Sequence, residues 1–316
     1  MNDAKTLLFP TNFSAASIKA ASFATDYAQK SKSTITLINI IESKETVPEE
    51  MKQYFDTHNP SPDQIIATTK LLLHNLAKKM TEIYSVEVTY KIFFGSLINT
   101  LMKAVVVTNS EMIVMGTNGF SNLTGLHPHS HTYKIADKAP IPVITISAKA
   151  NFSEIKKILF PINDKLYTTK KLNEIQRIGK LYNAEVILFG ISPNSGDKLD
   201  DVGFYMEDIQ KKLQSEKIVT KIAMAINKNY AEEILDFSNK NNIDLICIIS
   251  KYDHGLASLF KTTPDEKLVE ESTIPVLSIP LEAENLPSEQ VEVEYISPWS
   301  MKFDINRVFL PTIFSK

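Results

Sequence analysis

Leu7-Leu8-Phe9-Pro10-Thr11-Asn12 is echoed by Ile158-Leu159-Phe160-Pro161-Ile162-Asn163, and this echo decides the fold. Each stretch is an apolar, strand-like run that ends in proline and reaches asparagine two residues later. The two also close alike: Ala139-Pro140-Ile141-Pro142-Val143-Ile144-Thr145-Ile146 matches Ser272-Thr273-Ile274-Pro275-Val276-Leu277-Ser278-Ile279. The step from Asn12 to Pro142 is 130 residues and that from Asn163 to Pro275 is 112, so the second copy is trimmed. Similarity at a fixed internal spacing marks a duplicated module. We expect one unit over 1–148 and another over 155–280, joined through a short linker at about 149–154. An acidic extension, 281–316, follows, with Glu282, Glu284, Glu289, Glu292 and Glu294.

Working outward, short β-rich runs alternate with longer helical patterns, the signature of βαβ units and a parallel sheet covered on both faces. In the first copy the strands are expected at Leu7–Phe9, Thr34–Ile41, Val86–Phe94, Met112–Met115 and Val143–Ile146. Ser14 is placed to cap a helix to about Lys30, with Ile18, Ala21, Ala24 and Ala28 along one side. Asp63 is read as the cap of a long helix to about Ile83, with Ile66, Leu72, Leu73, Leu76 and Met80 as its inner stripe. Helices at Leu97–Val107 and Tyr133–Ala139 complete five strands and four helices. The second copy repeats the order, with helices at 168–182, 204–214 and 231–239 and strands at 156–160, 185–191, 219–226, 244–249 and 276–279. In the extension, Val291-Glu292-Val293-Glu294-Tyr295 alternates like a half-exposed strand, and Val308-Phe309-Leu310-Pro311-Thr312 echoes both openings weakly.

Composition sets limits on function. In 316 residues, 43% are hydrophobic, enough for two cores, and 34 Lys and Arg against 37 Asp and Glu leave a net charge of −3. That balance argues against nucleic acid as a partner, because phosphate-backbone attraction needs a basic surface. The lone Cys247 excludes an intramolecular disulfide framework and fits a reducing compartment, so a cytoplasmic location is expected. The N-terminal apolar run stops at Pro10, and no apolar stretch reaches bilayer length, so neither a signal peptide nor a membrane partner is expected.

Glycine is scarce, nine in the chain, yet Gly116, Gly119 and Gly125 crowd directly after the fourth strand. Ligands of open parallel sheets bind beyond the carboxyl ends of the strands, where glycines let backbone N–H groups approach a phosphate. On spacing alone, a surface loop in need of turn residues is the commoner origin of such a cluster.

At this point the chain resembles the universal stress protein family, whose nucleotide-binding members carry glycine, two residues, glycine, nine residues, then glycine and Ser or Thr. Gly116 and Gly119 match, and the closing pair reads His129-Ser130, so the third glycine is missing and its serine is kept. The resemblance puts Asn12 where an Asp usually contacts the adenosine part of ATP, and Ile40 where an apolar residue packs near the base. It covers residues 5 to 148 well and 156 to 280 more faintly. It implies two tandem Rossmann-like α/β domains, each a five-stranded, mostly parallel sheet with helices on both faces. It also implies closing strands that pair, either within one chain or across a homodimer.

Departures from the family pattern limit what carries over. Asn12 keeps an acceptor oxygen but lacks the charge that strengthens a bond to a ribose hydroxyl. His129 adds a ring beside the expected phosphates, where a positive φ would be resisted. In the second copy, Ile249 and Tyr252 fall opposite Gly116 and Gly119, so no nucleotide is expected there by this motif. His127, His129 and His131 alternate, but no carboxylate or cysteine stands nearby to complete a metal set, and no metal is expected. No nucleophile elbow occurs and Cys247 reads as a buried, inert thiol, so no catalytic residue is assigned; slow ATP hydrolysis lacks a general base that we can name. Two functions stand side by side: a stress-response protein that binds ATP or another anion weakly through Asn12, Ile40, Gly116, Gly119, His129 and Ser130, or a scaffold that has lost the nucleotide and holds an unknown protein partner.

Overall fold

The computed structural model describes residues 5–42, 49–55, 60–117, 131–150, 152, 154–162, 169–192, 197–227, 229–250, 264–280 and 293–294. They fall into two compact units, residues 1–127 with 284–316, and residues 128–283. Val308–Thr312 and the segment 118–130 lie outside the described residues.

The first unit runs β1 (Thr6–Pro10), α1 (Ala15–Ser31), β2 (Thr34–Ile41), α2 (Glu49–Lys52), α3 (Pro62–Tyr84), β3 (Val88–Phe94), α4 (Leu97–Val107) and β4 (Ser110–Gly116). Its strands lie in the order β3-β2-β1-β4, all parallel. Moving from β1 to β2 to β3 and then back to β4 reverses the winding. Right-handed crossovers therefore put α1 and α3 on one face and α4 on the other. Burial on both faces is why β1 and β2 read as continuous apolar runs: Leu7, Leu8, Phe9, Leu37 and Ile38 are fully buried.

Local signals explain the helices. The Ser14 hydroxyl accepts from Ser17 N at the start of α1, and Lys32 ends it in the left-handed region. On α3 the cap is Ser61, not Asp63: Ser61 and Gln64 exchange side-chain and backbone bonds in a capping box, with Pro62 at the first helical position. Along this helix Ile65, not Ile66, joins Leu72, Leu73, Leu76 and Met80 in the core.

The second unit contains α5 (His131–Lys138), β5 (Val143–Ile146), β6 (Lys157–Ile162), α6 (Thr169–Tyr182), β7 (Glu185–Ser192), α7 (Asp197–Ser215), β8 (Thr220–Ile226), α8 (Tyr230–Asn241), β9 (Leu245–Ser250), α9 (Pro264–Glu271) and β10 (Val276–Pro280). Its strands lie in the order β5-β10-β9-β6-β7-β8, parallel except that β5 runs antiparallel to β10, with Ile144 opposite Leu277. α5 and β5 belong to the first copy in sequence and to the second unit by packing: Tyr133 of α5 joins a core with Leu159, Phe189, Ile246 and Leu268. Two elements depart from the sequence reading. α7 begins at Asp197, about two turns before Phe204. α9 was not expected, although Pro264, Asp265 and Glu266 are ordinary helix-start residues and Leu268 and Val269 are buried.

In the extension, β11 (Val293–Glu294) pairs antiparallel with β3, Val293 opposite Phe93. No helix among the described residues is long and apolar enough to cross a membrane.

Candidate functional site

The reversal of winding in the first unit puts the usual ligand position of such sheets beyond the carboxyl ends of β1 and β4. The floor there is the turn between β1 and α1. Pro10 has no N–H, so ladder bonding resumes at Thr11, whose N–H donates to Ile38 O at 2.8 Å. Phe13 then takes a φ of 64°, a conformation that costs a non-glycine residue energy and needs support from its surroundings. The support is a polar network. Thr11 Oγ1 accepts from Phe13 N at 3.0 Å and donates to Ser17 Oγ at 3.1 Å, and Ser17 Oγ donates to Ser14 O at 2.9 Å. From β2, the buried Asn39 amide donates to Thr11 O at 2.8 Å.

Asn12 is 6% exposed, and its Oδ1 accepts from Ser14 N at 3.2 Å. The acceptor expected to meet a ribose is thus committed to the turn. Nδ2 makes no hydrogen bond among the described residues, so a donor is what Asn12 retains for a ligand. Ile40 is half-buried near the end of β2, beside the fully buried Phe93 of β3.

Gly116 closes β4 against α1. A Cβ there would lie 2.4 Å from Ala16 C and 2.5 Å from Ser17 N, both backbone atoms that cannot step aside. The glycine is required by helix–strand packing, a reason independent of any phosphate. Next to it, Thr117 is 1% exposed and its Oγ1 has no hydrogen-bond partner among the described residues. A buried hydroxyl without a partner carries a desolvation cost of about 1–3 kcal/mol, which a ligand or water would relieve.

Two helix N-termini at this end of the sheet, those of α1 and α4, are already capped. Ser14 serves α1, and Glu42 Oε1 accepts from Leu97 N at 2.8 Å at the start of α4, where Ser96 makes no side-chain cap bond. Gly119, His129 and Ser130, expected around the phosphates, lie outside the described residues, as does His127; His131 opens α5. Among the described residues no cluster of three or more metal-binding side chains occurs.

Sequence reasoning missed Asn39 and Thr117. Asn39 was visible as the one amide in a strand otherwise of Thr, Ile and Leu, but its partner Thr11 is 28 positions away in sequence. Thr117 carried no signal, because burial of a single threonine depends on the packed whole.

The described part of the second unit differs at the matching strand positions. By strand register, Leu7 and Met112 correspond to Ile158 and Leu245, so Ile249 stands in the place of Gly116. Gly190 stands in the place of Asn39, and a Cβ on it would lie 2.5 Å from Met206 Sδ and 3.0 Å from Val202 Cγ1 of α7. At this position apolar packing stands in place of the Asn39 amide. Nearby in β9, Cys247 is fully buried, and burial pushes its thiol far above the usual range, which leaves no nucleophile there.

The profile of the universal stress protein family matches residues 4–147 and 154–280. Among solved structures, a universal stress protein from Archaeoglobus fulgidus DSM 4304 aligns over 87% of this chain and 96% of its own, with a TM-score of 0.67 at 18% identity. A functionally unknown protein from Pseudomonas aeruginosa PAO1 aligns over 88% of this chain and 93% of its own, with a TM-score of 0.56 at 15% identity. At such identities the likeness is one of fold. No curated protein matches the chain in sequence.

Proposed function

Because the chain belongs to the universal stress protein family, we propose that it is a cytoplasmic stress-response protein whose first unit binds an adenine nucleotide such as ATP, or a related anion, weakly. The ligand lies beyond the carboxyl ends of β1 and β4. The observation that carries this reading is Thr117: a hydroxyl at 1% exposure with no partner among the described residues, at the strand end that leads into the glycine-bearing segment. Asn12 Nδ2 and the half-buried Ile40 line the adenosine end. Gly119, His129 and Ser130 supply the phosphate end, as the family resemblance implies, while Gly116 serves by letting α1 approach. Binding is weak because Asn12 Oδ1 is held by Ser14 N and no carboxylate takes the ribose. The role is one of binding, with no dedicated catalysis.

A second reading, an interaction scaffold without nucleotide, is favoured by the caps that Ser14 and Glu42 already place on α1 and α4. Calorimetric titration with ATP and Mg²⁺, paired with thermal melting, separates the two. Heat and a raised melting temperature at millimolar ligand are expected. Neither signal at saturating ATP would leave the scaffold.

A further inference from the structure

The outer edge of the second unit is built unlike an edge that meets only water. β8 is the last strand of its sheet and, among the described residues, has one strand neighbour, β7. Ile222, Met224 and Ile226 are 41%, 44% and 56% exposed, on one face of the strand. Val219, just before the strand, and Phe204 of α7 are also exposed apolar side chains of this unit. Native edges are normally blunted with charge, proline or a bulge. β8 carries one charge, Lys221, which is paired with Glu185 at 2.9 Å.

The cause of the exposure lies in β7. Gly190 leaves a gap into which Met206 and Val202 pack, so α7 settles deep over β7 and leaves the apolar row of β8 uncovered. In the first unit, Asn39 holds the place of Gly190, and Ile92, which holds the place of Met224, is 1% exposed.

The sequence of the strand selects what covers it. Ile222-Ala223-Met224-Ala225-Ile226 reads the same in both directions. We propose that β8 pairs antiparallel with β8 of a second copy about a two-fold axis at Met224, forming a homodimer through this edge. An isologous contact requires each residue to suit its own mirror position. Here Ile222 meets Ile226, Ala223 meets Ala225 and Met224 meets itself, so both faces are matched in size. Lys221 falls opposite the neutral Asn227 and Thr220 opposite Lys228, so no like charges stand directly opposite. An unrelated strand would gain nothing from this palindrome.

Sedimentation of the full chain over a concentration series is the test. Twice the chain mass is expected. Met224→Lys puts two ammonium groups on the axis and should weaken the dimer on the order of a hundredfold or more, with circular dichroism unchanged because the site is exposed. Met224→Cys should give a disulfide-linked dimer under mild oxidant, since Cys247 is buried and cannot compete. A chain monomeric up to its solubility limit overturns the proposal, and leaves this edge to another protein or to residues 295–316. A dimer that Met224→Lys leaves intact, or the absence of a cross-link in Met224→Cys, overturns it equally.

Discussion

Gly116 and Ile249 hold the same register position in the two copies of the sheet, one pressed against helix backbone and the other carrying a four-carbon side chain. The pair records how the copies diverged. In the first, the opening turn of α1 comes down onto β4. In the second, the described part of α6 begins at Thr169, three residues later than the position matching Ala15. Gly116→Ala should therefore be costly out of proportion to one methyl group, because the added atom meets Ala16 and Ser17 backbone and overpacking of this kind costs about 1–3 kcal/mol. Urea unfolding of the variant should show the lower midpoint with an unchanged slope. A midpoint equal to that of the parent would mean that α1 can slide.

The hydroxyl of Thr117 sets two expectations of opposite sign. Thr117→Val keeps the shape and removes a buried group that has no partner among the described residues, so the free protein should be as stable or slightly more so. If the hydroxyl meets ligand, affinity for ATP should fall about 5- to 10-fold, the value of one hydrogen bond. Thermal melting with and without nucleotide reads both quantities, and unchanged affinity would place the ligand away from this residue.

Asn39 holds the carbonyl of Thr11, and through it the turn that keeps Phe13 at positive φ. Asn39→Leu should cost about 1–3 kcal/mol, since it leaves Thr11 O buried without a donor. It should also lower nucleotide uptake, although Asn39 need touch no ligand. Restoration of stability by Asn39→Gln is not expected, because the longer side chain overshoots a 2.8 Å bond within a close-packed sheet. Denaturation curves for both variants give the comparison.

These particulars show where the sequence was readable. β2 and β5 fall where apolar runs placed them, because a strand buried on both faces writes its burial into consecutive residues. The opposition of Ile249 to Gly116 was visible in the offset between the copies, since duplication preserves register. The cap of α3 was misread, because Ser61 and Asp63 both make good caps and only the reciprocal bond to Gln64 chooses between them. What α1 requires of Gly116, what Asn39 holds, and the left-handed Phe13 were not legible. Each depends on atoms brought together by the whole sheet.

Cys247 gives the chain a dependence on alkaline pH. Burial raises its thiol above the ordinary value of 9.0, so the folded state keeps the proton while the unfolded state releases it. The stability this residue contributes is complete below about pH 9 and declines above it, by about 1.4 kcal/mol per pH unit. Other groups titrate in the same range, so the informative quantity is a difference: Cys247→Ala should show a shallower loss of stability between pH 9 and 10.5 than the parent chain. Equal slopes would mean that the thiol ionises in the folded protein, and reaction with a thiol reagent before unfolding would say the same.

Asn12→Asp asks whether the first unit still has the shape of a nucleotide site. The asparagine oxygen is held by Ser14 N, and a carboxylate in its place can keep that bond with one oxygen and offer the other, charged, to a hydroxyl pair on a ribose. If adenosine lies there, affinity for ATP should rise by about 1–2 kcal/mol, or about 5- to 30-fold. The gain should vanish for inorganic phosphate or triphosphate alone, which have no ribose. A gain for the nucleotide only fixes both the ligand class and its orientation in the first unit. A loss for both would mean that the site selects for its anion alone and that the asparagine serves to avoid repelling it.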